Sequence, residues 1–206
     1  MASYSFYGNV INFASLASEM SGRSRYPNDS LDRFWWRSMA QPGNANITSQ
    51  PVNVNSILDL PPEAVLQTNF IGSNLGYFYN VSDQNVLTTS TVTGKHSYCL
   101  SFWFVELDTR VEAAGQRVFN LTSNGYLLLS GIDIFASVKA LYTTYQLYSS
   151  SPYGPYEDEL VIEAYTAPTS LYPPSIAGAE ILQLFDNPMN GTAPTSTSDG
   201  TSNCTS

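Results

Sequence analysis

The sequence predicts an all-β fold, a two-sheet antiparallel sandwich of jelly-roll type, and three observations carry that reading. Short runs rich in Val, Ile, Thr and aromatic residues recur along the chain, each bounded by Gly, Pro, Asn or Ser. No window of helical length keeps a 3.6-residue apolar period, apart from a weak one at residues 14–20. Aromatics make up 13% of the 206 residues and charged residues only 12%, a composition suited to packed sheet faces and unlike that of disordered chains.

The elements follow in order. Residues 64–72 (AVLQTNFIG), after Pro61-Pro62, read as a strand, and residues 85–92, rich in Thr and Val, as another. Residues 98–106 (YCLSFWFVE) are apolar on both period-2 faces, which predicts a central strand covered on two sides. Residues 117–122 and 126–129 flank Ser123-Asn124-Gly125, and an Asn-Gly pair between apolar runs predicts an antiparallel hairpin. Residues 138–148 alternate and read as one strand, and residues 160–166 and 179–185 complete the series. After Asn187 the chain turns Ser/Thr-rich. The predicted organisation is a lead-in over 1–22, one sandwich domain over 23–187 and a disordered tail over 188–206.

Charge narrows the partners. Seventeen acids against eight Lys and Arg give a net charge of -9, which excludes the basic face that nucleic acid requires. Two cysteines are too few for a disulfide framework. Cys99, in an apolar strand, is expected as a small buried hydrophobe rather than as half of a bridge to Cys204. Residues 1–20 lack a basic segment followed by an apolar run, so no cleavable leader is expected there. No segment reaches the ~18 apolar residues of a membrane span, so direct membrane insertion by this chain is not expected.

Residues 25–35 join a turn, opposite charges and an aromatic. Tyr26-Pro27-Asn28-Asp29 reads as a turn, and Asp32-Arg33 as a local brace beside Trp35. This block resembles the Arg-Tyr-Pro-x-Asp-x-x-Asp-Arg-x-Trp pattern of malectin-like domains in the ectodomains of plant receptor-like kinases. In that pattern Arg25, Tyr26, Pro27, Asp32, Arg33 and Trp35 are structural. Four further blocks keep the family's order: residues 60–68 (LPPEAVLQT), 98–108 (YCLSFWFVELD), 116–125 (QRVFNLTSNG) and 170–181 (SLYPPSIAGAEI). Together they cover residues 23–186. The resemblance implies the second of two tandem modules, a place outside the cell or at its surface as part of a membrane receptor, and recognition of a carbohydrate or cell-wall glycan. Ala177-Gly178 replaces the family's usual Asn-Ala pair.

Sugar binding needs aromatic faces that stack on pyranose C–H patches, and fixed polar groups for the hydroxyls. Two loops offer them. Tyr77 and Tyr79 follow Gly76, and Tyr153 and Tyr156 lie in a Pro/Gly-stiffened loop with Asp158. The competing reading folds these rings inward to plug the ends of the sandwich. Trp35, Trp36 and Trp103 read as core. An enzyme would start from paired carboxylates, and Glu106 with Asp108 is the best-spaced pair. With His96 as the single histidine, read as a surface turn residue, no catalytic triad has its members. The expectation is no catalysis, no cofactor and no metal. The alternative function is a protein or peptide module that engages a co-receptor, with the aromatics as anchors, and a third is a truncated product without a ligand. Asn-x-Ser/Thr sequons make Asn28, Asn46, Asn80, Asn190 and Asn203 glycosylation candidates, whereas Asn120, in a predicted strand, suits modification least.

Overall fold

A computed structural model describes residues 5–12, 23–24, 35–37, 44–54, 61–80, 96–148, 153–156 and 159–185. In chain order the strands begin with β1 (Ser5–Asn12), β2 (Arg23–Ser24), β3 (Trp35–Arg37), β4 (Asn44–Ile47), β5 (Thr68–Ile71), β6 (Asn74–Asn80) and β7 (His96–Val105). They continue with β8 (Phe119–Ser123), β9 (Tyr126–Ile132), β10 (Thr144–Tyr148), β11 (Tyr153–Tyr156), β12 (Glu159–Thr166), β13 (Ser175–Ile176) and β14 (Gly178–Phe185). Two short helices, α1 (Glu63–Leu66) and α2 (Ile134–Val138), interrupt them.

The strands form three sheets. A seven-stranded sheet runs β10-β7-β14-β1-β3-β2, with β11 added beside β7. A four-stranded sheet runs β6-β12-β8-β9, and a three-stranded one β13-β5-β4. The ladders between named strands are antiparallel except β1 with β3. The segment expected as a lead-in thus supplies a strand of the large sheet, with Ser5 opposite Phe185 and Ile11 opposite Ala179.

Alternation along β7 explains why the sandwich closes. Tyr98, Leu100, Phe102 and Phe104 point into the main core, where they meet Phe119 and Leu121 of β8 and Leu160, Ile162 and Ala164 of β12. Phe104 and Phe119 meet as a tilted ring pair with centroids 5.7 Å apart. On the other face Trp103 and Val105 pack with Val65 and Leu66 of α1, Val52 and Ala177. A strand buried on both faces was the expectation for residues 98–106, and burial of this kind is worth about 1.5–3 kcal/mol for each large side chain.

The hairpin also forms as expected. Asn124 (φ 48°) and Gly125 (φ 80°) both adopt positive φ, the requirement of a type I′ turn. Asn124 ties the tip to β12: its backbone N–H donates to the Val161 carbonyl at 2.8 Å, and its Oδ1 accepts from the Val161 N–H at 3.0 Å. The seven residues of β9 pair with the five of β8 through two register shifts. Such bulges bend an edge strand and hinder sheet extension.

Two strand expectations need correction. Residues 64–72 begin with helix α1 and become β5 only at Thr68, because Pro62 fixes an extended N-cap and its carbonyl then accepts from the Val65 N–H at 2.9 Å. Residues 138–148 are strand only from Thr144. Asp133 caps α2 by accepting from the Ala136 N–H at 2.9 Å, and Lys139 and Tyr142 take positive φ, which breaks any extended run. The helix candidate at 14–20, the strand at 85–92 and the tail at 188–206 lie outside the described residues.

Candidate functional site

The buried charges gather where β7 ends. Glu106 and Asp108 follow the strand, and Arg117 enters from the loop before β8. The Arg117 Nε donates to Glu106 Oε2 at 2.8 Å and its Nη2 to Asp108 Oδ2 at 3.2 Å, while Nη1 donates to the Pro173 carbonyl. Arg117 and Glu106 are 1% and 0% exposed, so this pair lies in the interior. Glu106 Oε1 also accepts from the Asp108 N–H at 3.0 Å. Arg110 reaches in from solvent and donates to both Asp108 oxygens, from Nε at 2.9 Å and from Nη2 at 2.7 Å. Both guanidiniums stand over the Tyr172 ring, 5.4 and 5.7 Å from its centroid.

This geometry sets the carboxylates apart electrically. Burial pushes the Glu106 carboxyl above its ordinary value, while Arg117 pulls the other way. The Arg110 hydrogen bond holds the Asp108 carboxyl below its ordinary value, with Arg117 adding to it. The carboxylate pair singled out for glycosidase chemistry is therefore bound to cations, and the network locks the 106–117 loop to the 170–174 turn. Arg117 as its hub was not foreseen, since in sequence it reads only as the start of a strand.

The tyrosines lie on two different sheets. Tyr77 pairs with Ile162 and Tyr79 with Leu160, and both β12 partners are buried in the main core. Opposite residues of an antiparallel ladder share a face, so these two tyrosines hold core-side register positions. Tyr153 and Tyr156 belong to β11, opposite Tyr98 and His96, with a register shift between them. Asp158 lies outside the described residues, as do Arg25, Tyr26, Pro27, Asn28, Asp32, Arg33, Asn190 and Asn203. Trp35 belongs to β3, which pairs antiparallel with β2, with Ser24 opposite Trp35. Trp103 is core, as expected. Asn46 is partly buried in β4, and Asn80 ends β6. The Asn120 Oδ1 accepts from the Gly131 N–H at 2.8 Å, which fixes this side chain between β8 and β9.

The cysteine expectation is corrected. Cys99 is disulfide-bonded, not a free thiol. It alternates with Trp103 and Val105 on the back face of β7, and distance along the sequence gave no measure of which residues that face meets. The chain's other cysteine, Cys204, lies outside the described residues.

Exposed apolar groups cluster at the hairpin. Tyr126 is 73% and Leu127 63% exposed, directly after the tip that Asn124 pins. On β12, Leu160, Ile162 and Ala164 face the core, so Glu159, Val161, Glu163 and Tyr165 hold the outer face. The hydrogen bond to the Glu163 carboxylate pushes the Tyr165 phenol above its ordinary value.

A core sandwiched between antiparallel sheets, with its buried charges neutralised by one another, defines the all-β sandwich class of fold. The family model of the malectin-like domain matches residues 5–184, and the chain belongs to that family. Among curated proteins none matches it. Solved structures share its fold. It resembles a chain of the complex of plant peptide RALF23 with FER and LLG2 at TM-score 0.69 and 14% identity, over 88% of this chain and 50% of that one. It resembles the ANXUR2 extracellular domain from Arabidopsis thaliana at TM-score 0.63 and 14% identity, over 86% and 55%. The chain thus spans about half the length of these ectodomains.

Proposed function

We propose that this chain is a non-catalytic recognition module from the extracellular part of a receptor-like kinase, the second of a tandem, and that its ligand is a polypeptide met together with a co-receptor. The observation that carries the reading is the likeness to an ectodomain structure that contains a peptide, RALF23, and a second protein, LLG2. The chain's own features agree with it. A net charge of -9 opposes binding of acidic wall polysaccharides, and rigidly held exposed aromatic and aliphatic groups suit protein contacts. A disulfide at Cys99 fits an oxidising compartment outside the cell.

A neutral glycan is the second reading. What favours it is the register shift that separates Tyr153 from Tyr156 on β11, since a bulge re-aims neighbouring side chains. Tyr77, Tyr79 and Asp158 would join those two as contacts. The test is biolayer interferometry of the secreted domain, with its co-receptor, against secreted peptides and against neutral and acidic wall oligosaccharides. Saturable peptide binding is expected. Sugar binding that is lost on changing Tyr77, Tyr79, Tyr153 and Tyr156 to Ala, with no peptide bound at all, would overturn the polypeptide reading.

A further inference from the structure

The four strands of the smaller sheet carry no lysine or arginine. Their sequences, NLGYFYN, FNLTS, YLLLSGI and ELVIEAYT, hold two charged residues, Glu159 and Glu163. Both fall at odd positions of β12, on the face turned away from the core, since Leu160, Ile162 and Ala164 are the buried ones. Among the described residues, the ion pairs belong to the Glu106, Asp108, Arg110 and Arg117 network, and Glu163 has no cationic partner there. The register sets Glu163 between Thr122 of β8 and Gly76 of β6. Leu127, opposite Thr122 on β9, borders the same row and is 63% exposed.

We propose that the outer face of this four-stranded sheet docks a basic segment of a protein partner, with a Lys or Arg of the partner seated against Glu163. The partner's aliphatic side chains lie on Val161 and Leu127. This rests on the polypeptide reading above and names where, and by what chemistry, the polypeptide is held. Charge complementarity selects the occupant. A face with two carboxylates and no base, on a chain of net charge -9, attracts a cationic segment and repels a second copy of itself. The surrounding frame favours binding, because the hairpin that presents Leu127 is already pinned to β12 through Asn124 and loses little freedom when covered.

The test uses the full chain and fluorescence anisotropy with two labelled ten-residue probes, one alternating Arg and Leu and one alternating Glu and Leu. Three variants are compared: Glu163→Lys on the face, Leu127→Ser at its border, and Glu112→Lys on an exposed loop elsewhere. Glu163→Lys and Glu112→Lys change net charge equally, so a difference between them reports position. The wild type is expected to bind the Arg-Leu probe and not the Glu-Leu probe. Glu163→Lys should weaken binding by about tenfold or more, Leu127→Ser by severalfold, and Glu112→Lys by less than about twofold. Equal weakening by the two lysine variants would overturn the assignment of the face while leaving a polypeptide ligand in place. Failure of the wild type to bind either this probe or any secreted peptide would overturn both. Because Leu127 is exposed, Leu127→Ser tests the face even if Glu163→Lys does not fold.

Discussion

Replacing Arg117 by Met is the most incisive perturbation of this fold. The side chain is 1% exposed and makes three contacts, to Glu106, to Asp108 and to the Pro173 carbonyl. Methionine fills much of the same volume but leaves the fully buried Glu106 carboxylate facing an apolar group. Removing one partner of a buried ion pair costs about 3–5 kcal/mol, chiefly because the survivor is stranded without water. Asp108 loses less, since Arg110 still holds both its oxygens. Against a total stability of about 5–15 kcal/mol, the loss is severe. For a domain of this size each kcal/mol lowers Tm by about 2–4 °C, so the shift is about 6–20 °C. Urea unfolding followed by circular dichroism gives the free energy, and Arg110→Ala serves as control. Arg110 is 72% exposed, and loss of a surface pair costs little. Adding Glu106→Gln to Arg117→Met should recover part of the loss, because a neutral amide is cheaper to bury. If Arg117→Met costs no more than Arg110→Ala, the network is decoration and the argument fails.

Other outcomes follow from single residues. Gly125→Val at φ 80° is expected to cost about 1–2 kcal/mol, read as an earlier urea midpoint with unchanged slope. Lys139→Gly should stabilise by up to about 1 kcal/mol, because Lys139 ends α2 at φ 57°, a conformation glycine adopts freely. Reductant, or Cys99→Ser, should cost about 2–4 kcal/mol, and a non-reducing peptide map should recover the Cys99 peptide in disulfide linkage. The acid limb depends on Asp108, whose folded pKa is depressed. Its contribution is present above the unfolded carboxylate value and is lost as pH falls through the folded one. Glu106, shifted upward, acts in the opposite sense. Asp108→Asn should therefore flatten the fall of Tm below about pH 4, and a slope identical to wild type would contradict the assignment.

The legible parts of the fold were those whose cause is local. Residues 98–106 announced a doubly covered strand because both of its faces are apolar, and β7 is buried on both. Asn124-Gly125 announced its hairpin because positive φ is a property of those residue types. What failed depended on competition. The alternation at residues 138–148 is real, but Asp133 caps α2 first and two positive-φ residues follow, so pairing with β7 begins only at Thr144. Arg117 was unreadable as a hub because its acceptor on Pro173 is brought near only by folding. Tyr126 and Leu127 sat in plain view in the predicted hairpin, yet only the register shows that their strand is an edge. The tyrosines drew attention as loop residues, whereas Tyr77 and Tyr79 prove to be ladder positions opposite core side chains.

The arrangement of charge separates frame from surface. All three contacts of Arg117 are internal, and they join the segment after β7 to the turn before β13, two stretches more than fifty residues apart in sequence. That junction stays fixed whether or not a partner is present, because its charges are already matched. The smaller sheet has the reverse character: its carboxylates have no base on their own strands, and the tip beside them is held rigid by two backbone-directed hydrogen bonds. A domain built this way transmits a docking event as a rigid body, so a partner's affinity should depend on Glu163 and Leu127 and be insensitive to mild weakening of the network. Arg110→Ala tests that separation, since it loosens the network from the solvent side without touching the sheet. Unchanged anisotropy binding by Arg110→Ala, alongside tenfold loss in Glu163→Lys, is the expected pair of results, and coupled losses would place the two regions in one cooperative unit.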